Sequence, residues 1–553
     1  MSGLFTHKDR WIAAGLLALS FGYYFYSVMD TVTNARTWVD EVTYLVKSYR
    51  YVTGQVNPYT ATDPTWYMPL YFYELGLWQK YMGAGMTYGR LLSAGIGALS
   101  GIVIFDIVRR VTGNWTASAI ATATLFTVPA VVFYFGTATP ISTVSLLCLL
   151  AVWMVVIGVS RPTQWRSLCL GVLFGVLYFY RQNMILVLVA LLPVYILGLR
   201  QNRANHFAMV LIGIAIVAAP ILLTFPDRLL SYAIRLPLIT PLLSNLNLIN
   251  DPITLIQTNT TGEVGLNLAF SKFVLEDLLD AYLLPYAGLI LAAGAVVILA
   301  PEGLRILWVA PLIFFFLSAT HYVGSLDYCQ TCILPYTASY AGIGALCAGL
   351  AVSVIAHVSK DQKLPSWVLI GLFAVAVIAY NQSASSVATR DEYRFYPQAM
   401  LSEPRPIPER VETEQLAAFL RENTDPTKSI LPVHDLVTVP YALFLADRRF
   451  PVQGLNLRHS YRVLTPGLSD SERQITHGNL EREGLWADET LDNWIAKAYD
   501  TIVYQVDPRD RDSNLEATIG ESFARTASTG FRGWNVHVYQ RRPVDTDLQI
   551  ETP

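Results

Sequence analysis

Apolar runs long enough to cross a hydrocarbon core about 30 Å thick, roughly 20 helical residues each, recur along the chain as far as Tyr380. The clearest are Trp11 to Met29, Gly89 to Val108, Trp115 to Phe135 and Pro140 to Val159. Others lie near Leu168 to Phe179, Met184 to Leu199, Phe207 to Phe225, Leu284 to Ala300, Ile306 to Thr320, Cys332 to Ile355 and Pro365 to Tyr380. Together they predict about eleven spanning helices. The fifth and sixth are short and meet at Arg181-Gln182-Asn183. That spacing predicts two helices joined by a polar break that stops short of the far interface.

Basic residues occupy every second loop: Lys8 and Arg10, Arg109 and Arg110, Arg161 and Arg166, Arg200 and Arg203, Arg305, then Lys360 and Lys363. The positive-inside rule places these loops in the cytoplasm. Residues 30–88, 136–139, 226–283, 321–331 and everything after Tyr380 are then expected outside. The first run has a basic leader, is too long for a typical signal-peptide core, and is followed by the poor cleavage sequence Thr33-Asn34-Ala35. It reads as a retained anchor.

From Asn381 the pattern changes to that of a water-soluble segment, with Pro404, Pro406 and Pro408 marking a linker. Helical spacing from Thr413 to Asn423 and short β runs at Ser429 to Val433, Thr501 to Val506 and Trp534 to Tyr539 predict a small α/β domain. The expected organisation is therefore a membrane domain over residues 1–380 with outer loops 30–88 and 226–283, a linker over 381–411, and a soluble extracytoplasmic α/β domain over 412–553.

Composition agrees with a lipid-solvated chain: of 553 residues 53% are hydrophobic and 15% charged, with mean hydropathy +0.38. The formal net charge of −3 gives no field that would draw the chain to nucleic acid. Cys148, Cys169, Cys329, Cys332 and Cys347 sit in or beside apolar runs and read as small buried hydrophobes. Cys329 and Cys332 have CxxC spacing, which also suits a local disulfide, but no second pair completes a zinc site. No cofactor is indicated, and a divalent metal is left open rather than called for.

The first outer loop carries Trp38-Val39-Asp40-Glu41-Val42-Thr43-Tyr44, then Gly54-Gln55-Val56-Asn57-Pro58-Tyr59, then Tyr67-Met68-Pro69-Leu70-Tyr71. In order and spacing after the first helix, these elements resemble the GT-C glycosyltransferases, a superfamily that includes protein O-mannosyltransferases and lipid A aminoarabinose transferases. The resemblance also covers the helix count, the sidedness and the outward C-terminal domain. It implies a mainly α, polytopic GT-C fold and transfer of a sugar from a polyprenyl-phosphate carrier to a cell-envelope glycan or lipid on the outer side. Asp40, with Glu41 beside it, takes the place of the superfamily's catalytic carboxylate. A carboxylate in reach of the acceptor hydroxyl takes its proton as the hydroxyl attacks the anomeric carbon, inverting it in one displacement. Compact loops and the lack of a retention signal favour a bacterial inner membrane.

Charge that develops on the departing phosphate calls for fixed cations or donors. Arg181 is the leading candidate, because an ionisable residue at a polar break in an apolar region is costly and is read first as functional; the alternative is that it pairs with a carboxylate or snorkels. Lys47 and Arg50, three residues apart on a helix expected beside the membrane, are candidates for the donor phosphate or, more commonly, for lipid head groups. Tyr44, Tyr59, Tyr67 and Tyr71 suit a sugar site or an interfacial belt. His321, with Asp327 in the same short outer loop, is a weaker phosphate candidate, and Arg228 and Arg235 lie in the largest outer loop.

Two departures from the superfamily pattern matter. The loop Gly136-Thr137-Ala138-Thr139-Pro140-Ile141-Ser142-Thr143 holds no carboxylate where many members carry a second one, and Tyr67 stands about where a basic residue is common before the Pro-Leu element. Both put a metal-dependent mechanism in doubt. A lipid-linked-sugar flippase, a carrier-binding scaffold without catalysis, and an enzyme that moves a preassembled glycan remain as alternatives. Trp486, Trp494 and Trp534 read as core residues of the C-terminal domain more readily than as a glycan platform.

Overall fold

The computed structural model describes residues 7–34, 39–55, 69–181, 184–224, 333–358, 368, 371–372, 408–433, 438–450, 499–506, 513–531 and 534–543. In chain order its elements begin with α1 (His7–Asn34), α2 (Val39–Val52), α3 (Pro69–Met82), α4 (Met86–Thr112), α5 (Trp115–Thr127) and α6 (Pro129–Phe135). There follow α7 (Ile141–Ser160), α8 (Gln164–Tyr180), α9 (Ile185–Gly198), α10 (Arg203–Thr224) and α11 (Ile333–Val358). The C-terminal segment adds α12 (Pro408–Asn423), β1 (Ile430–Val433), α13 (Thr438–Leu445), β2 (Thr501–Val506), α14 (Ser513–Ser522), β3 (Phe523–Phe531) and β4 (Trp534–Arg541). Two compact units emerge: Met1–Ala35, Tyr67–Tyr71 and Thr87–Arg405 in one, and Arg36–Trp66, Phe72–Met86 and Pro406–Pro553 in the other.

The described residues of the first unit are helical. Among the described residues four helices are long and apolar enough to cross a membrane, over Asp9–Thr33, Met86–Thr112, Ile141–Ser160 and Arg203–Ile221. The expected span from Trp115 to Phe135 is instead two helices. Val128 is extended (ψ 114°) and Pro129 opens α6, because a proline removes the N–H that would continue the ladder and disfavours helical geometry in the residue before it. Asn114 starts α5 by accepting the Ala117 N–H at 3.0 Å. The runs at 284–300 and 306–320 lie outside the described residues, as does nearly all of 365–380, so the helix count is not fixed by them.

Helices α8 and α10 cross at glycines. A Cβ on Gly171 would lie 2.0 Å from the Val210 carbonyl oxygen, and one on Gly213 would lie 2.3 Å from that of Leu168. Small residues that let backbones approach are how helices associate where lipid is as apolar as leucine. Beside this crossing the Ser167 hydroxyl is 2.8 Å from the Tyr195 hydroxyl and 2.6 Å from His206 Nδ1, joining α8, α9 and α10 through buried polar groups.

In the second unit the sheet order is β1-β2-β4-β3, with β1 and β2 parallel and the other pairs antiparallel. Every residue of β1 and β2 is buried, as expected of strands covered on both faces. Leu431, Ile502, Tyr504, Ile519 and Phe523 meet in its core. The described residues of this segment form helices and strands, and one boundary differs from the expected one. Helix α12 starts at Pro408, inside the stretch expected as linker, since proline suits the first helical position. Arg448 closes its far end, donating from Nη2 to the Arg421 carbonyl at 2.6 Å and from Nε to Thr424 Oγ1 at 2.8 Å.

Candidate active site

The Asp-Glu pair falls in the first turn of α2, with Asp40 its second residue. This helix is not a surface strip against lipid. Val42, Leu45, Val46 and Ser48 are fully buried, and Glu41 is too. The stripe Leu45, Ser48 and Val52 follows helical spacing and faces α3. There Gly76 permits contact: a Cβ would lie 2.2 Å from the Ser48 carbonyl oxygen. Gln79 completes the joint, donating to the Leu45 carbonyl at 3.0 Å and to Ser48 Oγ at 2.9 Å, while its Oε1 accepts from the Gly85 N–H at 3.3 Å. Tyr44 rests its ring 5.5 Å from that of Phe72.

Lys47 and Arg50 are both buried, 6% and 5% exposed, so neither is a cation lying open to lipid head groups. Arg50 donates from Nη1 to the Phe450 carbonyl, and its guanidinium carbon lies 4.0 Å from the centre of the Phe450 ring. Burial pulls its pKa down to about 10, which leaves it charged at neutral pH. Ten residues of helix rise separate Asp40 from Arg50, about 15 Å along the axis.

Arg181 sits where the sequence predicts a break. Helix α8 ends at Tyr180, Arg181 is extended (φ −161°, ψ 117°), and its N–H still bonds the Leu177 carbonyl at 3.0 Å. Its carbonyl accepts from the Met184 N–H at 3.0 Å, just before α9. The side chain is half-buried. Tyr59, Tyr67 and His321 lie outside the described residues, as do Asp327, Arg228, Arg235, Cys329, Cys332, Trp486 and Trp494. Among the described residues no group of His, Cys, Asp or Glu is arranged to hold a metal.

Sequence reasoning missed Gln79 and Phe450, which bond to α2, and it missed Arg90. Arg90 is 3% exposed and places Nη1 3.4 Å from both the Thr31 and Val32 carbonyl oxygens at the end of α1. A cation near a helix C-terminus offsets the carbonyls left without partners there. Its signal was in plain view: an arginine inside the apolar run from Gly89 to Val108.

Residues 63–224 match the model of a family described as dolichyl-phosphate-mannose-protein mannosyltransferase. Among solved structures, ArnT from Cupriavidus metallidurans bound to undecaprenyl phosphate superposes with TM-score 0.58 at 16% identity, covering 96% of this chain and 97% of that one. Its apo state gives 0.57 at 15%, covering 97% and 98%. The archaeal oligosaccharyltransferase AglB from Archaeoglobus fulgidus, in complex with an inhibitory peptide and a dolichol-phosphate, gives 0.50 at 12%, covering 98% of this chain and 76% of that one. No curated protein sequence matches. The chain thus has the fold of the GT-C glycosyltransferases, a class of membrane proteins. The family match over residues 63–224 and the fold shared with ArnT and AglB agree with the resemblance to GT-C glycosyltransferases read from the sequence.

Proposed function

We propose that this protein is an inverting glycosyltransferase that moves a sugar from a polyprenyl-phosphate carrier to an extracytoplasmic glycan or lipid of the cell envelope, in a bacterial inner membrane. The observation that carries the reading is the likeness over nearly the whole of both chains to ArnT, whose structure holds undecaprenyl phosphate. The Asp-Glu pair at the start of α2, next in the chain after the first spanning helix, supports it.

In this reading Asp40 takes the proton of the acceptor hydroxyl as its oxygen bonds to the anomeric carbon. The bond from that carbon to the phosphate oxygen breaks, and the electron pair leaves with the carrier phosphate. Arg181, at the end of α8, is the cation assigned to that phosphate, where a guanidinium's paired donors match two phosphate oxygens. Glu41, buried in the same turn, is given the role of supporting Asp40. A second reading, transfer of a preassembled glycan, draws on the likeness to AglB.

The test is to incubate the purified protein in nanodiscs with a panel of polyprenyl-phosphate sugars and envelope acceptors. Free carrier phosphate and a product of inverted anomeric configuration are expected together. Donor binding with no carrier release on any acceptor would replace this reading with a flippase or a carrier-binding scaffold.

A further inference from the structure

We infer that Arg50 is a positioning residue: by gripping Phe450 it seats the 438–450 segment on α2 and so fixes the helix whose first turn carries Asp40. The inference rests on the proposed role of Asp40 and concerns only how its helix is held.

Arg50 is buried, and its partners are the carbonyl and the ring of Phe450, with no carboxylate among the described residues. A guanidinium removed from water without a counter-ion is costly. It is kept here by a cation–π contact, which gains strength when desolvated, and by a charge-assisted hydrogen bond. Both come from one residue that follows Arg50 by 400 positions.

Two more contacts close the same joint. The Tyr441 hydroxyl accepts the Met86 N–H at 2.8 Å. Tyr49 and Phe444 meet edge to face at 5.5 Å. Helix α2 is thereby clamped by α3 on one face and by α13 and Phe450 on another. In this reading the described part of the C-terminal segment sets the frame in which the transfer occurs. A displacement of about 1 Å at a reacting group is enough to cost on the order of a hundredfold in rate.

The experiment uses the full-length protein in nanodiscs and compares Arg50→Gln, Arg50→Lys, Phe450→Leu and the Arg50→Gln/Phe450→Leu double variant with wild type. Sugar transfer is measured on the donor that the wild type uses, and amide exchange is followed in residues 39–52. For Arg50→Gln and Phe450→Leu, kcat should fall about tenfold or more with donor KM within about twofold, the double variant being no worse than either single one. Arg50→Lys should recover part of the rate, and exchange in 39–52 should rise in both single variants. A raised donor KM with unchanged kcat in Arg50→Gln, beside a silent Phe450→Leu, would overturn the inference and make Arg50 a donor ligand. Unchanged exchange in both variants would also overturn it. Should the wild type transfer no sugar, the functional reading fails separately and the exchange measurement alone decides the clamp.

Discussion

The hydroxyl of Tyr441 accepts a hydrogen bond from the backbone N–H of Met86 at 2.8 Å, between residues 355 positions apart. Met86 opens α4, where the first N–H groups have no partner in their own helix. Tyr441→Phe keeps the ring contact with Phe444 and strands that buried donor. It is expected to destabilise the unit by about 1–3 kcal/mol, the cost of an unsatisfied buried group, seen as a lower urea midpoint followed by exchange in residues 438–445. An unchanged midpoint would show that another acceptor takes over.

Gly171 lies against the Val210 carbonyl, closer than any Cβ tolerates. The neighbour is backbone, so no side chain can swing aside. Gly171→Leu is expected to separate α8 from α10 and lower the Tm of the purified protein by several degrees or more, with Gly171→Ala intermediate. The control is Gly95→Ala, where nothing lies within 4 Å; it should leave Tm close to wild type.

His537 on β4 has its pKa held below the ordinary histidine value of 6.5, first by burial and then by the charge of Arg525, against an opposing pull from Glu516. Its folded-state pKa is the lower one, so protons bind the unfolded chain preferentially. The stability it protects is full above that ordinary value and is lost as pH falls below it. Amide exchange in residues 534–541 should quicken between pH 7.5 and pH about 5.5, in line with a histidine that titrates near 6.5 when unfolded. His537→Gln should flatten that slope, and an equal slope in the variant would assign it to other groups.

The sequence carried the membrane character and the break between α8 and α9 openly, because apolar run length and a polar tripeptide are local signals. It read Trp115 to Phe135 as one helix because composition outweighs one proline there; the proline at 129 decides otherwise. Strand β3, Phe-Ala-Arg-Thr-Ala-Ser-Thr-Gly-Phe, went unseen, since among the described residues it pairs with β4 alone and its middle needs no apolar alternation. The burial of Arg50 was not legible for a different reason. Its spacing from Lys47 suggested one shared helix face, whereas the partner that buries it is distant in sequence, and nothing local announces a contact of that separation. Asp40 and Arg181 stand out as candidates in the sequence because each interrupts a pattern: one follows an anchor, the other splits an apolar run.

The claim that matters most is that Asp40 is the base of a sugar transfer from a polyprenyl-phosphate donor. It is tested most directly by purified wild type and Asp40→Asn in nanodiscs with the donor and acceptor that support turnover, measuring carrier release and donor binding on the same samples. Loss of transfer by about 10²–10⁴-fold, the usual contribution of a general base, with donor affinity unchanged, is the predicted result. Transfer by Asp40→Asn at the wild-type rate would contradict the account.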